Sequence, residues 1–241
     1  MFGKNPIRKF DAYPNGDLQV HEIFFTLQGE GPHSGLPAVF VRLSGCNLSC
    51  WWCDTHWDDQ KDPLRSVQSI LEGVALASRG LTQLIVLTGG EPLRQDLRVL
   101  LDTLARINFS LGDKPWKLQI ETAGTLWQEC LDDHPWVDVV CSPKTAAIHP
   151  KIKARANAFK YVINARDSFD VDGLPITNTQ IEDGRRRSLA KPRAGAPVYL
   201  SPCDLHEDKY GTEANYAKVA ELSLQHGYRA GVQLHKVLGL P

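Results

Sequence analysis

The sequence predicts an α/β protein that folds as a partial, open TIM-like barrel of about six βα units. From residue 38 onward, short apolar runs alternate with amphipathic stretches, which is typical of a parallel sheet with right-handed crossovers. About six such units are too few to close an eight-stranded barrel. Polar or glycine-containing segments follow nearly every apolar run, and in parallel folds ligands bind at these carboxyl ends of strands.

The first half of the barrel is predicted from apolar periodicity. A strand is predicted over residues 38–45, a buried strand running into a glycine turn over 83–90, and a third strand over 117–124. Residues 66–78 and 95–107 carry apolar side chains at helical spacing, so each is predicted to be a helix with one buried face.

The second half is predicted to contain strands over residues 137–144, 158–164, 197–202 and 230–236, with a helix over 216–226. Residues 170–196 are rich in Gly, Pro, Asp and Arg and break this rhythm, which indicates a surface insertion. Its run of Arg185, Arg186 and Arg187 is predicted to be a solvated loop, the alternative being contact with a phosphate or a partner protein. We expect one domain over 1–241, with 1–20 as an N-terminal extension.

Composition excludes several classes of protein. The 241 residues include 27 Lys and Arg against 28 Asp and Glu, giving a net charge of −1, so we expect no nucleic-acid partner. No stretch approaches the ~20 apolar residues that span a bilayer, so no membrane association is expected. The first residues lack the apolar core of a signal peptide, which predicts a cytoplasmic protein.

Three of the six cysteines, Cys46, Cys50 and Cys53, form a C-x3-C-x2-C motif just after a predicted strand. Iron–sulfur clusters are held by cysteine thiolates, normally four per [4Fe–4S] unit, so three local thiolates leave one iron open for chemistry. The alternative is a structural zinc site with His56 as a distant fourth ligand. Zinc sites usually pair their ligands as C-x2-C units, which this compact triple does not do.

The cysteine motif, followed by TGGEP at residues 88–92, resembles the two signatures of radical S-adenosylmethionine enzymes. The resemblance implies that the open iron chelates S-adenosylmethionine and that one electron from the cluster cleaves it to a 5′-deoxyadenosyl radical. Trp52 and Asp54 would line the cofactor, and Gly90 would permit close backbone approach at its amino group.

Residues 21–55 resemble the start of the 7-carboxy-7-deazaguanine synthase family, and ETAG (121–124), SPK (142–144), SPCD (201–204) and the ending QLHKVLGLP extend the resemblance. It implies a lyase of queuosine and 7-deazapurine biosynthesis that converts 6-carboxy-5,6,7,8-tetrahydropterin to 7-carboxy-7-deazaguanine and ammonia by radical ring contraction. S-adenosylmethionine would be regenerated each cycle and magnesium would assist. No catalytic residue is expected beyond the cofactor and the cluster.

The resemblance also implies the site residues. Gln28 and Glu30 can complement the pterin edge, and Arg42 can hold the substrate carboxylate in a bidentate pair. The carboxylate of Pro241 would fold back to the substrate, and Thr55 would bind magnesium. The implied substrate-binding residues are Leu27, Gln28, Gly29, Glu30, Arg42, Thr88 and Pro241. The implied cofactor-binding residues are Trp52, Cys53, Asp54, Gly90, Glu91, Glu121, Ser142, Pro143, Lys144, Ser201, Pro202, Cys203 and Asp204.

The resemblance implies a homodimer and an electron donor such as flavodoxin or ferredoxin. Two other functions are considered: a radical activase that acts on a partner enzyme, and a zinc-stabilised binding module. The LQGEG and QLHKVLGLP segments favour the small-molecule enzyme. His206, His226 and His235 show no metal-site spacing and are expected to be structural or exposed. His56 and Trp57 are expected at most to shape the pocket.

Overall fold

The computed structural model describes residues 5–53, 55, 61–180, 188–205 and 208–241. Within these residues, nine strands form one open sheet in the order β3-β1-β2-β4-β5-β6-β7-β8-β9. The strands are β1 (Leu18–Leu27), β2 (Pro37–Leu43), β3 (Leu64–Arg65), β4 (Leu84–Gly89), β5 (Lys117–Thr122), β6 (Asp138–Cys141), β7 (Ala158–Ile163), β8 (Val198–Pro202) and β9 (Arg229–Ala230). The helices are α1 (Val67–Ser78), α2 (Arg98–Leu111), α3 (Cys130–Asp133), α4 (Pro150–Arg155), α5 (Lys209–His226) and α6 (Leu234–Val237), with 3₁₀ turns at Pro14–Gly16, Gly31–His33 and Pro92–Arg94.

The sheet confirms the predicted open parallel barrel. Strand β2 and strands β4 to β9 all pair in parallel, whereas β1 runs antiparallel to both β2 and β3. The carboxyl ends of the parallel strands therefore lie along one rim, where the polar segments of the sequence come together.

Local signals account for α1. The Ser66 side chain accepts a hydrogen bond from the Ser69 amide at 3.2 Å and caps the helix. Val67, Ile70 and Val74 are buried on one face, and the helix packs against β1 and β2. This is the helix that the apolar spacing predicts.

Two elements at the start of the sheet differ from the sequence prediction. Strand β1 was not predicted, although it supplies one wall of the site described below. Helix α2 begins at Arg98 rather than at Gln95, because the Gln95 side chain is engaged elsewhere. Its amide donates to the backbone carbonyls of Gln19 and Ser44, and its oxygen accepts from the Gln19 amide.

The predicted strand over residues 230–236 was wrong. Only Arg229–Ala230 pairs with β8, and the amide of Gly231 then donates to the carbonyl of Leu200 at 2.7 Å. Gln233 takes a left-handed conformation with φ of 45°, and Leu234–Val237 turns back as helix α6. Helix α5, by contrast, starts seven residues before the predicted 216–226 helix, because the Asp208 side chain caps the amide of Gly211.

Residues 170–196 are only partly a surface insertion. Leu174, Leu189 and Ala190 are at most 7% exposed, and Thr179 is equally buried. These described residues therefore pack into the molecule. The predicted arginine run at 185–187 lies outside the described residues.

The N-terminal extension packs against the cysteine loop. Ile7 forms a parallel bridge with Cys46, and the Arg8 amide donates to the Cys46 carbonyl at 2.7 Å. Asp11 pairs with the fully buried Arg94 guanidinium. No helix of the described residues is long and apolar enough to cross a bilayer.

Candidate active site

One cavity of about 280 Å³ opens at the rim formed by the carboxyl ends of the parallel strands. This volume lies near the lower end of the range for ligand pockets, roughly 300–1,000 Å³. Most of the residues predicted to bind substrate, cofactor or metal line it: Gln28, Glu30, Arg42, Cys46, Cys50, Trp52, Cys53, Thr55, Thr88, Gly90, Glu121, Ser142, Lys144, Pro202, Cys203, Asp204 and Pro241.

Five predicted residues do not line this cavity. Leu27 alternates with Thr26 and Gln28, which face the cavity, so its side chain points to the other side of the chain. Pro143 lines a smaller neighbouring cavity. The remaining three are Gly29, Glu91 and Ser201, which lie directly behind the lining. Asp54, together with His56, Trp57 and His206, lies outside the described residues.

The two glycines of TGGEP hold the cysteine loop close to β4. A Cβ on Gly90 would lie 1.8 Å from the Gly45 carbonyl oxygen, and one on Gly89, whose φ is +117°, would lie 2.2 Å from the Leu43 carbonyl oxygen. The Glu91 amide donates to the Gly45 carbonyl at 3.0 Å. These contacts require glycine for the packing of the two loops. The predicted approach of Gly90 to a cofactor amino group stays a prediction.

Glu91 and Arg94 connect the loops behind the cavity. The fully buried Glu91 carboxylate accepts hydrogen bonds from the Thr122 hydroxyl and from the amides of Leu93 and Ala123. Burial raises its pKa, and these donors oppose the rise. Arg94 donates to the Ser44 carbonyl at 3.1 Å, just before the cysteine loop. Both side chains therefore position the loops, and a cofactor contact of Glu91 stays a prediction.

The three cysteines of the motif all carry free thiols that line the cavity. Burial, with the nearby Glu91 carboxylate, raises the pKa of the Cys46 thiol to about 12. A thiolate at this position therefore needs compensating positive charge, which a bound metal ion would supply. Among the described residues, no three His, Cys, Asp or Glu side chains are already gathered into a metal site, so the fit of a metal cluster rests on the donor chemistry of the cysteine loop.

A buried network of charges connects β7, β5 and the loop after β1. The Lys160 ammonium lies 2.6 Å from a Glu30 carboxylate oxygen and 3.4 Å from Glu121, and all three side chains are at most 17% exposed. The Gln28 amide donates to Glu121 at 3.1 Å. Burial alone would raise the pKa of Glu30, but the charge and hydrogen bond of Lys160 lower it to about 2. The pKa of Lys160 is in turn raised by the two carboxylates, which outweigh burial.

Sequence analysis missed Lys160. Its signal was a lysine in the middle of the apolar run AFKYVIN, because lysine is almost never fully buried unless it is paired.

Lys144 follows β6, between the strands that carry Glu121 and Lys160, and lies beside the cysteine loop. Its ammonium donates to the Ser142 hydroxyl and sits 5.3 Å from the centre of the Trp52 ring. Burial lowers the pKa of Lys144, and the nearby Cys50 opposes this shift. This side therefore presents a cation, a hydroxyl and an indole, and Glu121 and Asp204 add carboxylates to the same lining.

Strands β1 and β2 form an aromatic and cationic wall. Phe24 and Phe40 stack with ring centroids 5.3 Å apart, and the Arg42 guanidinium lies 5.4 Å from the centre of the Phe24 ring. Arg42 pairs with the half-exposed Glu22 at 3.2 Å, whereas its buried Nε has no hydrogen-bond partner among the described residues. An arginine with an unused donor in a cavity is suited to an anionic ligand.

The C-terminal segment covers the β1 side of the cavity. The Leu234 amide donates to the Gly29 carbonyl, and the Lys236 ammonium pairs with Asp204 at 2.8 Å. The Thr26 hydroxyl donates to the Pro241 carbonyl oxygen at 2.9 Å. His235, expected to be structural or exposed, lines the cavity and packs on Gly29 so closely that a Cβ there would lie 2.0 Å from its Nδ1. No local spacing could have indicated this.

Comparisons with known proteins identify the family. Residues 40–135 match the radical SAM superfamily. A 7-carboxy-7-deazaguanine synthase from Rhodospirillum rubrum is 42% identical, over 99% of this chain and 99% of the relative. The chain belongs to the 7-carboxy-7-deazaguanine synthase family. A further member, from Rickettsia prowazekii, is 33% identical over 100% of this chain and 96% of its own.

The fold agrees with this family. The crystal structure of QueE from Escherichia coli aligns with a TM-score of 0.58 over 90% of this chain and 93% of that chain. Sequence identity in this alignment is 24%, so the likeness supports the architecture. The protein is a radical S-adenosylmethionine enzyme, and its superfamily implies a [4Fe–4S] cluster and S-adenosylmethionine as cofactors.

The residues present fit both groups. The three cysteine sulphurs of the lining are the soft donor set that an iron–sulfur cluster requires. They lie next to the point where Gly90 packs against Gly45. S-adenosylmethionine carries an amine, a carboxylate and ribose hydroxyls. Lys144, Ser142, Glu121 and Asp204 offer complementary charges and hydrogen-bonding groups in the same cavity.

Proposed function

We propose that this protein converts 6-carboxy-5,6,7,8-tetrahydropterin to 7-carboxy-7-deazaguanine and ammonia in the biosynthesis of queuosine and other 7-deazapurines. The observation that carries the proposal is the pairing of a three-thiol loop with an Arg42–Phe24–Phe40 wall in one cavity. When bound, the cluster and S-adenosylmethionine supply a radical that removes a hydrogen atom from the substrate.

The protein's own residues bind and orient the reactants. Cys46, Cys50 and Cys53 would hold the cluster. Gly90, Glu121, Ser142, Lys144 and the loop at residues 201–204, with Trp52, Asp54, Glu91 and Pro143 adjoining, would hold S-adenosylmethionine.

The substrate would occupy the β1–β2 side of the cavity. The guanidinium of Arg42, which lines the cavity, would donate to the substrate carboxylate. Phe24 and Phe40 offer an apolar face to the pterin ring, and Gln28 and Glu30 can hydrogen-bond its edge. Thr88 and Pro241 would complete this side with the backbone of Leu27 and Gly29. Because the Lys160 ion pair keeps Glu30 ionised, Glu30 is a hydrogen-bond acceptor at neutral pH.

Magnesium would bind at Thr55. The Thr55 residue lines the cavity, and the buried Asn5 amide holds its carbonyl oxygen at 2.7 Å. Magnesium commonly keeps several waters and few protein ligands. A Thr55 hydroxyl together with the substrate carboxylate and water would therefore suffice.

The remaining partners are proposed on the family resemblance. A flavodoxin or ferredoxin would supply the electron, and the working unit would be a homodimer. We also propose that the protein acts in the cytoplasm. All six cysteines are free thiols, which is the expected state in a reducing compartment.

The test is turnover by anaerobically reconstituted protein. Reductant, magnesium, S-adenosylmethionine and 6-carboxytetrahydropterin are supplied, and products are followed by mass spectrometry. We expect 7-carboxy-7-deazaguanine with little net loss of S-adenosylmethionine. If only slow 5′-deoxyadenosine formation is seen, the substrate assignment is wrong, and a radical activase that needs a protein partner becomes the better hypothesis.

A further inference from the structure

Two neighbouring residues of the 170–196 segment, Thr179 and Gln180, contact the same sulphur atom of the cysteine loop. The Thr179 hydroxyl has two acceptors within reach, Cys50 Sγ at 2.9 Å and the Lys144 carbonyl oxygen at 3.3 Å, and the sulphur is the nearer. The Gln180 amide nitrogen donates to the same sulphur at 3.2 Å. Thr179 and Cys50 are 129 residues apart in sequence. Neither donor belongs to a motif of the family resemblance.

Backbone contacts hold these two donors in place. The Thr179 carbonyl accepts from the Trp51 amide at 3.1 Å, and the Thr179 amide donates to the Lys144 carbonyl at 3.2 Å. The Gln180 oxygen accepts from the Ser49 amide at 3.0 Å, which aims the amide nitrogen of this side chain at Cys50. Thr179 is 7% exposed, so water does not readily replace its hydroxyl. The two side chains are therefore preorganised on the sulphur.

Donors on a ligating sulphur change the redox behaviour of an iron–sulfur cluster. Reduction adds an electron and makes the sulphur ligands more negative, so hydrogen bonds to them stabilise the reduced form more than the oxidised form. Two fixed hydrogen-bond donors on one sulphur ligand therefore raise the reduction potential of the cluster. An external one-electron reductant then reduces the cluster more easily.

We propose that Thr179 and Gln180 are positioning residues that set the reduction potential of the cluster through the Cys50 sulphur. This inference rests on the proposed function in one respect: it takes Cys50 as a cluster ligand. It assigns the 170–196 segment a role in electron uptake that is separate from substrate recognition.

The experiment is a potentiometric titration of the reconstituted full-length protein, in which dithionite reduces the cluster and electron paramagnetic resonance measures the reduced fraction. Thr179→Val keeps the side-chain shape and removes the donor. We expect the ratio of reduced to oxidised cluster at a fixed potential to fall about tenfold, which is 59 mV for a one-electron couple. Gln180→Met should shift the ratio in the same direction.

Two matched variants separate tuning from folding. Thr179→Ser keeps a hydroxyl and should restore the wild-type ratio. Thr177→Val makes the same chemical change two residues away, where no hydrogen bond to a sulphur occurs in the described chain, and should leave the ratio unchanged. Iron content of each variant is measured in parallel, because a purely structural role would lower iron retention without moving the potential of the clusters that remain.

The outcomes distinguish this inference from the proposed function. If wild-type protein holds no [4Fe–4S] cluster, the proposed function fails with it. If wild-type protein holds the cluster and Thr179→Val has the same ratio as Thr177→Val, the inference is wrong and the proposed function stands. Should Thr179→Val not retain a cluster, Gln180→Met decides, and a wild-type ratio in that variant overturns the inference.

Discussion

Cys50 is one of three thiols in the lining, and it accepts two hydrogen bonds from a distant segment. Replacing it leaves two thiolates, which cannot hold a cubane cluster in place. We predict that Cys50→Ala lowers bound iron from about four per chain to near zero. The matched control is Cys130→Ala, a buried thiol on helix α3 that does not line the cavity. Full iron content in Cys50→Ala would contradict the assignment.

Arg42 lines the cavity, and its buried Nε has no hydrogen-bond partner among the described residues. We predict that Arg42→Ala raises the Kd for 6-carboxytetrahydropterin at least about tenfold, because a charge-assisted hydrogen bond contributes roughly 1.5–3 kcal/mol. The Kd for S-adenosylmethionine should change less than about twofold, as measured by calorimetry on the reconstituted protein. Glu22→Gln removes the ion-pair partner of Arg42 and leaves the guanidinium, so it should bind substrate normally. If Arg42→Ala weakens the binding of both ligands equally, the assignment of Arg42 to the substrate site is wrong.

The carboxyl group of Asp167, just past β7, makes the stability of the folded protein depend on pH. Burial raises the pKa of its carboxyl to about 6, although the Asn164 backbone amide opposes the shift. The folded state therefore binds more protons than the unfolded state between about pH 4 and 6, so this group lowers stability as pH rises through that window. Asp167→Asn should raise Tm at pH 7.5 and leave it unchanged at pH 3.5. A lower Tm of Asp167→Asn at pH 7.5 would contradict this prediction, because it would show that the folded state favours the ionised carboxylate.

At the scale of elements, the crossing of the β2 and β4 loops depends on Gly90. An added methyl would collide with the Gly45 carbonyl, a backbone atom that cannot rotate away. We predict that Gly90→Ala lowers the free energy of unfolding by at least about 1–3 kcal/mol and reduces iron binding, because Cys46 follows Gly45 directly. Urea unfolding and iron analysis provide the measurements.

Gly73→Ala is the control for that substitution. Gly73 lies in helix α1, and an added Cβ would meet only the flexible end of Ile23 at 3.1 Å. Alanine is also the better helix former by about 1 kcal/mol. Stability should therefore stay the same or rise. A similar loss in both variants would mean that the contact with Gly45 is not the cause.

The helices and the C-terminal segment show where the local sequence pattern no longer determines the structure. The Ser66 cap and the apolar face of α1 are local, and the helix formed where it was predicted. The start of α2 was not local, because Gln95 bonds to Gln19 and Ser44 across the sheet. The C-terminal strand prediction failed for the same reason, since residues 234–241 pack on β1 rather than extend β9.

At the scale of the whole molecule, Lys160 joins strands that are far apart in the chain. It pairs with Glu30, 130 residues away, and with Glu121 in the buried rim. We predict that Lys160→Met costs roughly 3–5 kcal/mol of unfolding free energy, because two carboxylates lose their buried counter-charge. The pKa of Glu30 should then rise, because burial is no longer opposed by the charge and hydrogen bond of Lys160.

Lys151→Met is the matched control for Lys160. Lys151 also contacts two carboxylates, those of Glu129 and Asp132, at 2.6 and 2.9 Å, but it is 47% exposed. Exposed pairs contribute about 0–1 kcal/mol, so this variant should unfold almost as the wild type does. If both lysine variants lose the same stability in urea unfolding, burial is not what makes the Lys160 network important.

The sequence by itself determined the chemistry of the cysteine loop and the alternation of parallel strands with helices. Both are local properties: three thiols within eight residues, and apolar runs that alternate with helical periodicity. The loops after successive parallel strands meet at one rim, so Glu121, Ser142 and Lys144 could be placed together from the sequence. The motif resemblance then indicated the family that the relatives confirm.

Only the tertiary structure decided which other side chains reach that rim. Lys160, His235, Thr179 and Gln180 carry no local signature of a site, and each arrives through packing of segments far apart in the chain. Burial and hydrogen-bond partners depend on what the rest of the chain places nearby. For this reason, a lysine or threonine with the same local sequence can be exposed to solvent in one fold and buried in a functional site in another.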